Sequence, residues 1–254
     1  MPTTTVNRFE MHFNVRGAGQ PLLLLHGGMG IGDDWGHVFP EDPPGYRVIV
    51  PDLRGHGRST NPAGTFTFRQ CAEDVLALLD HLELPRVKAI GMSMGAKTLL
   101  HVATQQPERI EAMVLVSATP RFPPSLRAAA AQFTREAFRA LPDAEREALR
   151  ARHVHGDEQL LRLYDMTRSF ATSHTDMAFT AETLGTITAR TLIVHGDRDP
   201  YYPVELAVEL FRGIPQSALW VVPHGGHGPI FPPAAAQFVT VTLEHLKESP
   251  RLDP

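Results

Sequence analysis

The chain has 254 residues, of which 43% are hydrophobic and 20% charged, with a formal net charge of −4 and a pI near 6.3. This is the composition of an ordinary globular protein, long enough for one large α/β domain, and it gives no electrostatic reason to expect nucleic acid or an anionic membrane as partner. The longest apolar run near the N-terminus, Leu22 to Leu25, is too short for a signal peptide or a membrane span, and Cys71 is the single cysteine. We therefore expect a cytoplasmic protein without membrane insertion, either a monomer or a homodimer.

The first half of the chain alternates strand-like and helix-like segments. Phe9 to Val15 alternates apolar and polar residues, as a half-buried edge strand does. Helical spacing follows in 67–82, and a second helix in 96–105 should end near Pro107. Strands are also expected at 46–50, 87–90 and 112–116, and the continuous apolar run at 22–25 is typical of a strand covered on both faces. This order predicts a mostly parallel central sheet flanked by helices on both faces.

The alternation stops after Thr119, and no strand is evident from Pro120 to Arg190. Such a span is too long for an unstructured loop, and it carries apolar residues at helical spacing: Leu126, Ala130, Phe133, Ala137, Phe138 and Leu141. Further helices should begin at Pro142-Asp143 and at Asp157. We expect a core domain of residues 1–119 and 189–254 with a small helical lid, residues 120–188, inserted into it. Three apolar residues of the lid are candidates for a substrate pocket, with packing against the core as the alternative: Phe170, Met177 and Phe179.

The sheet resumes with a strand at 191–194, followed by a helix at 204–211 and a last strand at 219–222. A closing helix is expected from Pro233 to Lys247. No linker, repeat or low-complexity segment indicates a second independent domain.

Two sequence features resemble binding sites, one for a dinucleotide cofactor and one for a metal. The glycine loop His26 to Gly32 follows a strand, and Asp52 follows the next strand, which imitates a dinucleotide fingerprint. However, the prolines and acidic residues of 33–45 leave no room for the long helix that the fingerprint requires. His153 and His155 would point apart on a helix and lack a third ligand, so we expect them to be solvated residues. No cofactor or metal is therefore expected.

The pattern Gly91-Met92-Ser93-Met94-Gly95 lies where a strand runs directly into a helix. A side chain at the tip of such a turn has a strained backbone, and small residues two positions on either side let strand and helix approach closely. The Ser93 hydroxyl would then lie beside the free N–H groups of the helix, where a developing negative charge is stabilised. We interpret Ser93 as a nucleophile.

Other polar loops follow the remaining strands, and ligands of parallel sheets bind at those strand ends. Asp197 or Asp199 could supply a carboxylate, and His224 or His227 a base that activates the serine. Another polar loop carries Asp52, Arg54 and His56, which we interpret as bracing their own loop by local hydrogen bonds. The order serine, acid, histidine is that of the α/β-hydrolases.

Over nearly its whole length the chain resembles an α/β-hydrolase-fold serine hydrolase. The resemblance rests on five motifs: His26-Gly27-Gly28, the segment Asp52 to Ser59, Gly91 to Gly95, the segment His195 to Asp199, and Gly226-His227-Gly228. It implies Ser93 as nucleophile, His227 as general base and acid, and Asp199, the last residue of the H-G-x-x-D loop, as the carboxylate that orients the histidine. Asp197 would then hydrogen-bond within its own loop.

The same resemblance implies an oxyanion hole made by the backbone N–H groups of Gly28 and Met94. Met29 is the alternative donor and a candidate pocket residue.

The activity that needs only this machinery is hydrolysis of small or medium apolar carboxylic esters through an acyl-enzyme. Lactonases and carbon–carbon bond hydrolases of the same fold are alternatives, although we identify no extra polar groups for a dienol acid. A serine at position 93 disfavours relatives that cleave epoxides or carbon–halogen bonds, which carry an aspartate there. A small-molecule receptor on this scaffold is the non-enzymatic alternative.

Overall fold

The computed structural model describes residues 2–247, and its centre is one eight-stranded sheet. The strands of this described part are β1 (Thr3–Val6), β2 (Phe9–Gly17), β3 (Gln20–Leu25), β4 (Tyr46–Pro51), β5 (Val87–Met92), β6 (Ile110–Val116), β7 (Arg190–Gly196) and β8 (Ser217–Val222). Their order is β1-β2-β4-β3-β5-β6-β7-β8. β1 and β2 run antiparallel to their neighbours, and the other adjacent pairs are parallel. The predicted mostly parallel sheet is confirmed, and β1 is an additional edge strand.

Helices cover both faces of the sheet. They are α1 (Phe68–His81), α2 (Met94–Gln105), α3 (Pro124–Ala130), α4 (Arg135–Arg139), α5 (Asp143–Arg152), α6 (Gly156–Ser169), α7 (Ala181–Leu184), α8 (Val204–Gly213) and α9 (Ala235–Leu246), with short 3-10 helices at Gly32–His37 and Pro107–Arg109. Among residues 2–247, none of these helices has the length and apolar character needed to cross a membrane.

The leucine run of β3 shows why the sheet needs cover on both sides. Successive strand residues point to opposite faces. Leu23 and Leu25 belong to the apolar core that includes residues of α1, α2 and α8, whereas Leu22 and Leu24 belong to the core that includes residues of α9 and Trp35 of the first 3-10 helix. All four leucines are fully buried. The continuous apolar run therefore contributes side chains to the apolar cores on both faces of the sheet, as the sequence predicts.

Helices α3 to α7 lie between β6 and β7, within the helical insertion, residues 120–188. The apolar stripe over 126–141 is not one helix, because the Thr134 side chain accepts a hydrogen bond from the N–H of Ala137 and starts α4 anew. Phe138 of α4 packs on Leu160 and Tyr164 of α6 in a small apolar cluster. That the insertion is a separate lid domain stays a prediction.

Candidate active site

Ser93 lies at the tip of the tight turn between β5 and α2. Its backbone angles are φ 48° and ψ −102°, a conformation that L-residues rarely adopt. A Cβ on Gly91 would lie 2.6 Å from the carbonyl of Gly95, and a Cβ on Gly95 would lie 2.3 Å from the oxygen of Leu25. Both positions therefore accept only glycine without displacement of the backbone. The turn lifts the Ser93 side chain clear of the sheet, where it remains 8% exposed.

Three polar side chains from separate loops form a continuous hydrogen-bonded line. Nδ1 of His227 lies 2.8 Å from Oδ2 of Asp199, and Nε2 of His227 lies 2.9 Å from Oγ of Ser93. A carboxylate only accepts, so Nδ1 carries the hydrogen and Nε2 is free to accept the serine proton. The arrangement is that of a nucleophile, its base and the group that orients the base.

The Asp199 carboxylate is held ionised in this line. Burial opposes its charge, but hydrogen bonds from His227 and from the backbone N–H groups of Tyr201 and Tyr202 outweigh burial and lower the pKa of Asp199. The two tyrosine rings also pack edge-on against the His227 ring, with centroids 5.0 and 5.3 Å away. The His227 ring is thus held in place by the hydrogen bond to Asp199 and by packing against the two tyrosine rings.

The alternative acid and base lie away from this line. Asp197 and His224 are both exposed. The Asp197 side chain makes no hydrogen bond to residues 2–247, so the interpretation that it braces its own loop was wrong. Asp199 differs from Asp197 because its carboxylate accepts hydrogen bonds from the backbone N–H groups of Tyr201 and Tyr202, which follow it in the chain.

The backbone N–H groups of Gly28 and Met94 are the two predicted oxyanion-hole donors. Met94 is the first residue of α2, so its N–H has no partner within the helix. Within residues 2–247 the N–H of Gly28 also makes no hydrogen bond, and a Cβ at Gly28 would meet no atom within 4 Å. Both residues line the same cavity as Ser93. That the pair forms an oxyanion hole stays a prediction.

The loops around this site are braced from beneath. Asp52 accepts hydrogen bonds from the N–H of Gly32 at 2.8 Å and of Arg58 at 2.9 Å. His26 accepts a hydrogen bond from the N–H of Leu53 at 2.9 Å, which ties the glycine loop to the loop after β4. These contacts agree with the interpretation of Asp52 as a bracing residue.

A cavity of about 320 Å³ lies between the core and the helical insertion and reaches Ser93 and His227. It is lined by Gly27, Gly28, Met29, Met92, Ser93, Met94, Lys97, Leu126, Ala129, Ala130, Phe133, Thr167, Phe170, Tyr201, Tyr202 and His227. Met29 and Phe170, two of the candidate pocket residues, are among them. A separate cavity of about 310 Å³, between Arg54 and α6, contacts none of the three hydrogen-bonded side chains.

Met177 and Phe179 do not line the cavity. Met177 is 2% exposed and packs in the main core, and the Phe179 ring packs on His101 at 4.8 Å between centroids. The segment after α6 turns down along α2, so these residues fasten the insertion to the core. For Met177 and Phe179, packing against the core is therefore the observed alternative.

Sequence reasoning missed three polar residues of the cavity wall: Lys97, Tyr201 and Tyr202. A signal existed for each. Lys97 follows Ser93 by four positions, one helical turn along α2, and the tyrosines come directly after Asp199-Pro200. Lys97 and Tyr202 are both buried.

His153 is buried, so the expectation of a solvated residue was wrong for it, whereas His155 is exposed. Nδ1 of His153 accepts from the N–H of Gly57 at 3.0 Å, and Nε2 lies 3.3 Å from the carbonyl of Met29. His153 therefore joins the insertion to two core loops. Within residues 2–247, no three histidine, cysteine or carboxylate side chains are grouped as a metal site would require.

Comparison with known proteins identifies the family. A family model described as the alpha/beta hydrolase fold matches residues 20–233, and the chain belongs to this family. It is 30% identical over 234 residues to the AB hydrolase superfamily protein YisY of Bacillus subtilis (strain 168), covering 85% of this chain and 87% of the relative.

Two further relatives carry more specific names. The chain is 28% identical over 236 residues to the 2-hydroxy-6-oxo-6-(2'-aminophenyl)hexa-2,4-dienoic acid hydrolase of Metapseudomonas resinovorans, covering 86% of this chain and 81% of the relative. A solved structure of a thermophilic esterase from Thermogutta terrifontis is 26% identical, with a TM-score of 0.71, covering 96% of this chain and 97% of the other. Similarity thus extends across different hydrolase activities, and the fold alone does not select the substrate.

Proposed function

We propose that this protein is a serine hydrolase that cleaves small or medium-sized carboxylic esters through an acyl-enzyme. The observation that carries the proposal is the line from Ser93 Oγ through His227 to the Asp199 carboxylate, with contacts of 2.9 and 2.8 Å. A serine hydroxyl becomes a useful nucleophile only when a base takes its proton, and this base has its tautomer set by a carboxylate.

In the first step, Ser93 Oγ attacks the ester carbonyl carbon while its proton passes to Nε2 of His227. The carbonyl oxygen becomes an oxyanion, which accepts hydrogen bonds from the N–H groups of Gly28 and Met94. Loss of one such donor typically costs roughly 3 kcal/mol of transition-state stabilisation. The intermediate collapses, and the alcohol leaves with the proton from His227.

In the second step, a water molecule attacks the acyl carbon and gives a proton to His227. Collapse of the second oxyanion releases the acid, and the proton returns to Ser93. One ester and one water thus give one acid and one alcohol, without a cofactor or a metal. The apolar part of the substrate would pack against the insertion residues Leu126, Phe133 and Phe170, which line the cavity.

Cleavage of a carbon–carbon bond is the second candidate, since the similarity to the Metapseudomonas resinovorans hydrolase covers 86% of this chain. Such substrates and lactones would use the same serine. These substrates differ from simple esters in the leaving group, so measuring activity on each type of substrate distinguishes the candidate functions.

The experiment measures hydrolysis of p-nitrophenyl esters from acetate to dodecanoate. We compare the wild type with Ser93→Ala and with the control Ser217→Ala, which lies at the opposite end of the sheet at the start of β8. Ser93-dependent turnover with an intermediate chain-length optimum is the expected result.

Activity in Ser93→Ala above trace level would refute the role of Ser93. A folded wild type that turns over no ester of the series but binds one tightly would favour the receptor alternative. Turnover of a 2-hydroxy-6-oxodienoate in place of the esters would favour the carbon–carbon hydrolase.

A further inference from the structure

Lys97 is a buried lysine in the wall of the cavity that holds Ser93. It lies one helical turn beyond Ser93 on α2 and is 3% exposed. Its Nζ donates one hydrogen bond, at 2.6 Å, to the hydroxyl of Tyr202. An ammonium has three donors. In the described part of the chain, the other two have no hydrogen-bond partner.

Lys88, the other buried lysine, shows how a buried ammonium is usually stabilised, which is by a carboxylate partner. Lys88 lies on β5 with its Nζ 3.4 Å from Glu111 and 2.6 Å from Gln20. Lys97 has no such ion pair among residues 2–247. Instead its Nζ lies 5.1 Å from the ring centroids of Phe68 and Tyr202 and 6.0 Å from that of Phe122, where the negative faces of the rings partly compensate its charge; these contacts are cation–π interactions.

Two carboxylates influence Lys97 from a distance. Asp199 is engaged by His227, and Asp176 by the N–H of Phe68. Burial outweighs the attraction of Asp199 and Asp176 and lowers the pKa of Lys97 to about 7.

The remaining charged groups nearby do not supply the missing negative charge. His101, one turn further along α2, contacts Asp176, and Arg127 of α3 lies against the Phe122 ring. The cavity wall therefore contains a buried lysine that has no carboxylate partner among residues 2–247.

We propose that Lys97 binds a carboxylate at the far end of the acyl chain, so that the preferred substrates are half-esters of short dicarboxylic acids. This inference rests on the proposed ester hydrolysis and defines its substrate class. A compact ammonium on a flexible stem suits a single carboxylate oxygen, and the carboxylate would use donors that the protein leaves free.

The distance from Lys97 to the reacting serine sets the length of the acyl chain. The N–H of Lys97 donates to the carbonyl of Ser93 at 3.0 Å, so the two residues lie one helical turn, or about 6 Å, apart along α2. An acyl chain with about three methylene groups between its two carboxyl carbons covers that span. Its methylene groups would pack beside Met94 and Phe170, which line the cavity.

The first experiment measures binding without turnover. In a Ser93→Ala background, NMR titration compares monomethyl glutarate with methyl pentanoate, which has the same number of acyl carbons and no second carboxylate. We expect Lys97→Met to lower the ratio of the two affinities at least about tenfold, because a charged hydrogen bond is lost only for the half-ester. Lys88→Met is the matched control, and it should leave the ratio unchanged. An unchanged ratio in Lys97→Met would overturn the proposal.

The second experiment measures kcat/KM for the two esters from pH 5.5 to 9 with Ser93 present. Both esters share the same nucleophile and base, so the ratio of their kcat/KM values isolates the group that binds the carboxylate. We expect the ratio to fall as pH rises through about 7 in the wild type, where Lys97 loses its proton, and to stay high in Lys97→Arg. A ratio that does not vary with pH would contradict the proposal.

The two proposals fail separately. Ser93-dependent hydrolysis of methyl pentanoate with a ratio insensitive to Lys97→Met would leave ester hydrolysis standing and refute the role of Lys97. Absence of hydrolysis of both esters would refute the proposed function, and the binding ratio in Ser93→Ala would still decide whether Lys97 binds a carboxylate. Circular dichroism and the melting temperature of each variant establish that it is folded.

Discussion

Ser93 Oγ lies 2.9 Å from His227 Nε2 although 134 positions separate the two residues in the chain. Ser93 follows β5 and His227 follows β8, with β6 and β7 between these strands in the sheet. Asp199 follows β7. The parallel register brings the carboxyl ends of all these strands to one edge, so the site geometry is a property of the sheet and of three short loops.

The first prediction concerns the carboxylate that fixes His227. Asp199→Asn should lower kcat by roughly a thousandfold or more, because an amide no longer sets the tautomer or stabilises the charged imidazole. Asp197→Asn is the matched control on the same loop, since its side chain is exposed. Steady-state kinetics on a p-nitrophenyl ester checks the pair. Equal losses in the two variants would contradict the assignment of Asp199.

The second prediction concerns the approach of α2 to the sheet. In Gly95→Ala the new Cβ would lie 2.3 Å from the backbone oxygen of Leu25, which cannot move without displacing β3. We expect a loss of roughly 3 kcal/mol or more in the free energy of unfolding, together with loss of activity as the Ser93 turn shifts.

The control for this substitution is Gly36→Ala, where a Cβ would meet no atom within 4 Å. Its free energy of unfolding should change by less than about 1 kcal/mol. Urea unfolding of both variants decides, and a Gly95→Ala variant as stable as Gly36→Ala would show that the close contact is relieved by a small shift.

Much of this architecture could be predicted because its sequence signals are local. Continuous apolar runs indicate buried strands. The glycines two positions on either side of Ser93 indicate a tight turn between strand and helix, in which a larger residue at either position would clash with the backbone. The edge strand β1 was not predicted, because Thr3–Val6 has a single buried residue and no apolar alternation to reveal it. The break between α3 and α4 depends on the Thr134 cap, which competes locally with a helical pattern that otherwise continues.

The cavity lining could be predicted only in part, for a different reason. Phe170 and Met177 are both large apolar residues near the end of the insertion, and nothing local distinguishes the one that faces the cavity from the one that faces the core. Lys97 shows the opposite case. Its position one turn after Ser93 was visible, but only the folded chain shows that the described residues leave it without an ion pair.

The third prediction follows from the energetic cost of burying Lys97. Its pKa is about 7 in the folded protein against an ordinary value of 10.5. Between these two values the unfolded chain binds more protons than the folded one, so this residue makes stability rise with pH from about 7 to 10.5. Below pH 7 the full cost of the buried charge is present.

We therefore expect Lys97→Met to be more stable than the wild type at pH 6, by roughly 2–4 kcal/mol. The difference should shrink as pH rises toward 10. Urea unfolding at pH 6, 8 and 10 measures it, with Lys88→Met as control, because Lys88 has a carboxylate partner. A wild type more stable than Lys97→Met at pH 6 would mean that the aromatic rings around Nζ fully compensate the charge.

The last prediction concerns acid and the attachment of the helical insertion. His153 packs on the ring of His56, which packs on that of His26. Nδ1 of His153 accepts from Gly57, so Nε2–H is the side that donates to Met29. A proton added at Nδ1 would remove the acceptor and place a charge beside two other buried rings. Burial accordingly lowers the pKa of His153 to about 4 from an ordinary 6.5.

A base whose pKa is lower in the folded than in the unfolded state contributes stability that is present above pH 6.5 and lost as pH falls toward 4. We expect this residue to account for roughly 2–3 kcal/mol of acid destabilisation. His153→Gln keeps an acceptor for Gly57 but cannot titrate, so its free energy of unfolding should fall less between pH 7 and 4.5 than that of the wild type. His155→Gln, two positions away and exposed, should follow the wild type. Parallel pH profiles for wild type and His153→Gln would show that acid acts on the core and not through this histidine.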